Sequence, residues 1–190
     1  VKHLKRELEG EGMSVCLLSA DNYYKGVSRL LADRLAAKVI GLNVSELAEF
    51  IRRITGDKNF SEKFSDENIA MIVDYTGNAV DVVLIKEELA LISFDSPESV
   101  DLASLAMALA SLKKGGEIEM PEYSMKYSEP ARASKIDGKK YNIILLDGIY
   151  ALDERILKYA DVAVFVEADP KTLFIRRFRR DVLAGRSSWS

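Results

Sequence analysis

The stretch SVCLLSADNYYKG, residues 14–26, joins a short apolar run to an acid, two tyrosines and a lysine. The run Val15–Leu18 is typical of a buried β-strand, which ordinarily ends in a turn of small polar residues. Here Asp21, Tyr24 and Lys25 follow within a few positions. We therefore expect functional side chains at the carboxyl end of this strand.

Two further apolar runs predict the rest of the sheet: NIILLDG, residues 142–148, and VAVFVEAD, residues 162–169. Runs with little alternation are typical of parallel strands that are covered on both faces. Helical patterns lie between and after them, at residues 98–113, 153–159 and 170–184. This order of elements predicts an α/β fold with a parallel sheet.

The segment 27–92 departs from that order and predicts a mostly helical insertion. VSRLLADRLAAKVIG and VSELAEFIRRITG are amphipathic, and each places a serine, Ser28 or Ser45, as a plausible helix cap. AVDVVLIKEELALI is ambiguous between strand and helix. We expect residues 1–26 and 93–190 to form the α/β core, and the Ser-, Pro- and Gly-containing stretch 127–140 to form a loop or hairpin.

Composition excludes several classes of function. The 190 residues are 48% hydrophobic with a net charge of −3, so nothing suggests electrostatic binding to nucleic acid or to an acidic membrane. The single cysteine, Cys16, is expected to be buried, and the single histidine, His3, argues against a histidine metal site or a Ser-His-Asp triad. With no apolar run of about 20 residues and no signal peptide, we expect a cytoplasmic protein. The sequence leaves open whether the protein forms a homo-oligomer.

Charged and aromatic residues form clusters where an α/β sheet binds its ligands, past the carboxyl ends of strands. Asp21 follows the first strand, Asp147 ends the second, and Asp95 and Tyr123 lie in the clusters SFDSPESVD and MPEYSMKYS. Taken singly, each acid also fits a turn and the tyrosine also fits surface packing. The combination of two strand-end carboxylates with nearby aromatics fits a phosphoryl-transfer site.

Arginines crowd the C-terminal helix pattern, RRFRRDVLAGR. Phe174, Phe178 and Val182 recur every four residues and predict a buried stripe, so the arginines must project elsewhere. A solvated helix face explains them as well as a phosphate site does. The planar guanidinium fork nevertheless suits phosphate oxygens.

Five segments, in this order and spacing, resemble the uridine kinase and phosphoribulokinase family of P-loop kinases: SADNYYK, FDSPESVDLASL, IEMPEYSMKYS, IILLDGIYAL and RRFRRDVLAGR. The resemblance covers residues 1–26 and 93–190. It implies a P-loop-kinase-like parallel sheet flanked by helices. It also implies an ATP- and Mg²⁺-dependent kinase acting on a hydroxyl of a nucleoside, uridine- or cytidine-like, or of another small metabolite.

The resemblance also implies roles for individual residues. Asp21 matches the acid that contacts the substrate's 5′-hydroxyl and serves as catalytic base, and Asp147 stands at the position of a usual glutamate and is expected to bind the metal. Substrate binding is implied for Tyr24, Lys25, Asp95 and Tyr123. Phosphate binding is implied for Arg177, Arg180 and Arg186.

Two departures from the family pattern matter. Ser128 stands nearest the place of the base-reading histidine, which puts pyrimidine specificity in question. No G-x-x-x-x-G-K-[ST] motif occurs in the 190 residues, although this loop should cradle the phosphates. We expect that loop upstream of Val1 and the remainder of the lid beyond Ser190. The alternatives are a non-catalytic nucleotide- or metabolite-binding protein on the same scaffold, a sugar-phosphate or vitamin-precursor kinase, and an interaction protein that docks a partner through residues 27–92.

Overall fold

A computed structural model describes residues 1–183, which fall in two compact units, residues 1–159 and residues 160–183. The strands of the first unit are β1 (Val15–Ser19), β2 (Glu117–Ser124), β3 (Glu129–Asp137) and β4 (Ile143–Asp147). Its helices are α1 (Lys2–Gly10), α2 (Val27–Lys38), α3 (Val44–Thr55), α4 (Phe60–Lys63), α5 (Asp66–Tyr75), α6 (Val82–Ala90), α7 (Leu102–Lys113) and α8 (Glu154–Leu157). The described part of the second unit contains α9 (Pro170–Leu183).

The first and second predicted strands, β1 and β4, pair in parallel, which confirms the α/β class. Their register runs from Val15 opposite Ile143 to Ser19 opposite Asp147. Ser14 and Asn142 begin the pair, because the Ser14 hydroxyl donates to Asn142 Oδ1 at 2.8 Å. This register brings the carboxyl ends of both strands to the same edge.

Burial differs between the two strands. In β1 the side chains of Val15, Cys16 and Leu18 are buried, as a covered strand requires. Burial also raises the pKa of the Cys16 thiol. The four apolar residues of β4 are only half-buried, and so is Leu17 of β1. Full cover on both faces is therefore absent in β4 and incomplete in β1.

The predicted strand at residues 162–169 is wrong. The segment is irregular, and Val162, Val164 and Phe165 are exposed. A strand is held by hydrogen bonds to a neighbour. Within the described part of the second unit, no other strand lies beside this run. Its β-forming side chains are therefore insufficient to define a strand.

The burial predicted for the arginine-rich helix is also wrong. Phe174 is 70% exposed and Phe178 is 45% exposed, although their rings stack with centroids 6.1 Å apart. An apolar stripe is buried only when another element packs on it. In residues 160–183 the rest of the unit is the irregular segment, which provides no such cover.

The segment 27–92 is mostly helical, as predicted, and the ambiguous stretch folds as α6. Asp81 caps α6, because its Oδ1 accepts a hydrogen bond from the Leu84 N–H at 2.8 Å. Helices α2, α3, α5 and α6 bury a common apolar cluster that includes Leu35, Ile51 and Ile72. Residues 1–159 nevertheless form one compact unit, so the division into core and insertion stays a prediction.

The predicted serine caps are wrong. Asn43 caps α3, since its Oδ1 accepts from the N–H groups of Ser45 and Glu46 at 3.1 and 3.3 Å. Ser28 lies inside α2 and donates its hydroxyl to Glu129 instead. Serine near a helix start competes with asparagine for the cap position, and here asparagine precedes the helix by one residue.

A second apolar cluster supports the sheet and carries the hairpin. Helix α7 contributes Leu105 and Leu109, which pack with Leu18 of β1. The antiparallel hairpin of β2 and β3 covers the stretch predicted as a loop or hairpin and extends it back to Glu117. Within residues 1–183, no helix has the length and apolar character needed to cross a bilayer.

Candidate active site

The tip of β1 carries Asp21 on a short 3₁₀ helix, Ala20–Tyr23, that begins directly after the strand. Ala20 and Tyr23 are buried, whereas Asp21 is exposed. The buried pair anchors the turn in the core, so the carboxylate between them is presented at the carboxyl edge of the parallel strands. This is the position expected for a ligand-binding acid.

Tyr24 is the centre of the aromatic side of the site. Its ring centroid lies 5.5 Å from that of Tyr123 and 6.1 Å from that of Phe94. Both distances are typical of favourable aromatic pairs. The structure thus brings together residues that are separated by about seventy to one hundred positions in the chain.

The charges of two carboxylates act on the same tyrosine. Burial raises the pKa of Tyr24, and the negative charges of Asp21 and Asp95 raise it further. A negative charge opposes ionisation of a nearby phenol. The charges of Asp21 and Asp95 therefore act on the ring that also contacts Tyr123, and both acids are exposed. A common cavity for Asp21, Asp95 and Tyr123 stays a prediction.

The loop that carries Asp95 is fixed on both sides. The Lys25 N–H donates to the Ser99 carbonyl at 2.7 Å, and Tyr24 forms an isolated β-bridge with Val100. On the other side, the Tyr150 hydroxyl donates to the backbone carbonyl of Asp95 at 2.5 Å. These contacts hold the Asp95 loop between the segments that follow β1 and β4.

Asp147 ends β4 opposite Ser19 of β1 and is exposed. The next residue, Gly148, has φ of 155°, and a Cβ at this position would lie 2.4 Å from the Ala20 Cβ. Only glycine allows the Asp147 turn to approach the 3₁₀ helix that carries Asp21. The close approach explains why the two strand-end acids can lie at one edge.

Gly148→Ala is expected to destabilise the fold by about 1–3 kcal/mol, the usual effect of overpacking a tight contact. Urea unfolding measures the change. Gly10→Ala is the matched control, because a Cβ there meets no atom within 4 Å and alanine favours a helix over glycine. Equal stability of Gly148→Ala and the unsubstituted chain would show that the turn relaxes freely.

Lys25 is held beside a cleft of about 410 Å³. Its Nζ lies 3.5 Å from Asp33 Oδ2, and the Arg29 Nε donates to Asp33 Oδ1 at 2.9 Å. Tyr24 and Lys25 line the cleft together with residues of α7 and of the hairpin. An aromatic face beside a cation and hydrogen-bonding groups suits a small polar ligand with a flat ring.

The predicted phosphate-binding arginines belong to the second unit. Arg177 and Arg180 are exposed on α9 of the second unit. Arg186 lies outside the described residues. A phosphate role for these three residues stays a prediction.

Sequence reasoning missed Phe94, Tyr150 and Glu129. Phe94 directly precedes Asp95, and Tyr150 lies three residues after Asp147, so proximity to the predicted acids was the available signal. Glu129 had no local signal, because its contacts are with Ser28, 101 positions earlier in the chain, and with Lys63.

Comparison with known proteins assigns the family. The profile of the phosphoribulokinase / uridine kinase family matches residues 85–188, more than half of the chain. The chain belongs to this family. The matched region includes Asp95, the hairpin, Asp147 and α9, so the family assignment covers most of the predicted site residues.

Curated relatives are uridine kinases. That of Schizosaccharomyces pombe is 37% identical over 91 residues, 47% of this chain and 20% of the relative. That of Histophilus somni strain 2336 is 36% identical over 98 residues, 50% of this chain and 45% of the relative. That of Proteus mirabilis is 32% identical over 120 residues, 62% of this chain and 55% of the relative. The chain thus spans about half or less of the length of these relatives.

A solved structure of a possible uridine kinase from Bacillus stearothermophilus is also similar. It covers 94% of this chain and 68% of its own chain, with a TM-score of 0.48 and 14% sequence identity.

Proposed function

We propose that the protein is an ATP-dependent phosphotransferase that phosphorylates a hydroxyl of a nucleoside or of a similar small metabolite. The observation that supports this proposal is the Tyr24–Tyr123 ring pair, on which the charges of Asp21 and Asp95 act, in a member of the phosphoribulokinase / uridine kinase family. An aromatic surface between two acids offers a face for a base and acceptors for sugar hydroxyls.

Asp21 would accept the proton of the attacking hydroxyl. Carboxylates of aspartate are weak bases, with a pKa of about 3.9 in peptides. Most of the rate enhancement must then come from holding the hydroxyl in line with the phosphoryl group and from neutralising charge. The fixed 3₁₀ helix and the packed Tyr24 ring support such positioning.

Mg²⁺ fits this site through Asp147. Within residues 1–183, no group of three His, Cys, Asp or Glu side chains could hold a metal by itself. Mg²⁺ usually takes only one or two protein carboxylates together with substrate phosphates and waters, and Asp147 provides one at the strand edge. Bound Mg²⁺ would neutralise negative charge on the phosphate oxygens.

Phosphate transfer from ATP to a panel of nucleosides tests the proposal in the full-length protein. We expect formation of ADP and nucleoside monophosphate in equal amounts, and we expect uridine or cytidine at 100 times its Kd to stabilise the fold by about 2.7 kcal/mol. Transfer to sugar phosphates alone would assign a different acceptor class. Binding without transfer would favour the non-catalytic alternative.

Arg180→Lys is expected to weaken ATP binding by about tenfold, because an ammonium cannot reproduce the bidentate fork. The melting temperature should stay unchanged, since an exposed helix position tolerates lysine. Nucleotide titration of the full-length protein measures the effect, with the exposed Arg6→Lys in α1 as control. Equal ATP affinities in all three proteins would show that Arg180 does not bind the phosphates and that α9 is a solvated surface helix.

A further inference from the structure

We propose that Glu129 is a positioning residue through which the helical segment 27–92 holds the Tyr123 side of the acceptor site in place. Ser28 of α2 and Lys63 of α4 hold its carboxylate. These three residues are called the clamp below. The inference rests on the proposed function for its catalytic consequence, and its structural part is tested separately.

Lys63 is a fully buried cation of the helical segment. Its Nζ donates to the Gly56 carbonyl at 2.7 Å and lies 4.0 Å from Glu129 Oε1. Burial lowers the pKa of Lys63, while the Glu129 charge opposes that change. A buried ammonium needs such partners, because an unpaired charge is strongly unfavourable inside a protein.

Glu129, which lies in the hairpin, caps the N-terminus of α2. Its Oε1 accepts hydrogen bonds from the Ser28 N–H at 2.9 Å and from the Ser28 hydroxyl at 2.5 Å. The residue before α2 is Gly26, which has no side chain to cap the helix. The carboxylate therefore caps α2 from a position 101 residues later in the chain.

The absence of a side chain at Gly26 leaves room for the Glu129 carboxylate. A Cβ on Gly26 would lie 1.7 Å from Glu129 Oε2 and 2.9 Å from the Pro130 Cδ. Gly26 is two residues after Tyr24, so the carboxylate packs directly against the segment that carries the central ring.

Backbone contacts extend the clamp along the start of β3. The Val27 N–H donates to the Ser128 carbonyl at 2.8 Å, and Arg52 Nη2 donates to the Pro130 carbonyl at 2.9 Å. Residues 128–130 are thus all held by the helical segment.

Glu129 and Pro130 lie opposite Ser124 and Tyr123 in the hairpin. In the hairpin, Tyr123 pairs with Pro130 and Ser124 pairs with Glu129, just after a register shift between Glu122 and Tyr123. Glu129 also contributes, after burial, to the raised pKa of Tyr123, which places its charge near that phenol. The same carboxylate therefore lies beside the segment that carries Tyr24 and beside the strand position that carries Tyr123.

A buried ion pair is a weak source of stability, since apolar residues of similar volume often stabilise a fold as well or better. The contribution of the Glu129–Lys63 pair is instead to hold the hairpin and the helical segment in one arrangement. Glu129 and Lys63 are accordingly expected to act on acceptor binding beyond their effect on folding.

Glu129→Gln and Lys63→Met in the full-length protein test the catalytic part. We expect the KM for the acceptor to rise by about tenfold, because a displaced Tyr123 side of the site would bind the acceptor more weakly, while the KM for ATP stays unchanged. Asp66→Asn and Lys86→Met are matched controls, because this pair is also an ion pair of the helical segment, at 2.9 Å, but is largely exposed. The controls should leave both KM values unchanged.

Gly26→Ala provides an independent variant, because it displaces the Glu129 carboxylate without removing it. The same rise in acceptor KM is expected. Parallel changes in the KM for ATP and for the acceptor, or equal effects of the control pair, would overturn the positioning role.

Amide hydrogen exchange separates this inference from the proposed function. In Glu129→Gln, amides of residues 117–137 should exchange faster while those of α7 keep their rates. If the hairpin loosens but no variant, and no unsubstituted protein, phosphorylates a nucleoside, the proposed function fails and the clamp stands. Unchanged hairpin exchange, or uniform acceleration across the first unit, would overturn the clamp.

Discussion

Asp21→Asn is expected to lower kcat by at least about 10²-fold, the lower range for loss of a general base. Asparagine keeps the size of the side chain but cannot accept the hydroxyl proton. The substrate KM should change less, because Tyr24, Tyr123 and Asp95 remain in place. Steady-state kinetics of the full-length protein measure both quantities.

The titration of Tyr24 checks this variant without any assay of activity. The negative charge of Asp21 contributes to the raised pKa of Tyr24, so its removal should lower the pH at which Tyr24 ionises. Asp74→Asn, an exposed acid of α5, is the control and should alter neither titration nor kcat. Near-normal turnover in Asp21→Asn, with the Tyr24 titration shifted, would remove Asp21 from the chemistry while leaving it beside Tyr24.

Asp95→Ala is expected to abolish selection for ribose hydroxyls. A site built to hydrogen-bond a substrate hydroxyl discriminates strongly against an analogue that lacks it, because its polar groups are then left unpaired. We expect the unsubstituted protein to prefer uridine over 2′,3′-dideoxyuridine by at least about 10²-fold in kcat/KM, and we expect the ratio in Asp95→Ala to fall below about tenfold.

Two comparisons sharpen this result. Glu98→Gln removes another acid of the same loop and should keep the full preference. Tyr150→Phe removes the hydrogen bond to the Asp95 carbonyl and should give an intermediate preference, because the loop then loses its support on the β4 side. A preserved preference in Asp95→Ala would mean that another residue binds the sugar.

The sequence allowed prediction of those features that depend on local pattern. The apolar runs of β1 and β4, the helices of residues 27–92 and the buried Cys16 follow from periodicity and composition. The grouping of Asp21 and Asp147 follows from the rule that parallel strands end at one edge. These inferences required no knowledge of a specific long-range contact.

The failures share a physical cause, which is that the partner was not visible in the local sequence. Residues 162–169 have strand-forming side chains but lack a neighbouring strand in the described part of their unit. Ser28 looks like a helix cap until Glu129, far along the chain, provides the carboxylate that engages it. Phe174 and Phe178 have the correct spacing for a buried stripe, yet no described element of their unit covers them.

Cys16 gives the parallel strands a natural chemical reporter. It is the only thiol in the chain, it lies opposite Ile144 in the β1–β4 pair, and only 4% of it is exposed. Alkylating reagents attack the thiolate, which this burial both shields and disfavours. Labelling by a maleimide therefore requires the elements packed over this face of β1 to open, so the labelling rate under native conditions reports the free energy of that opening with no engineered probe.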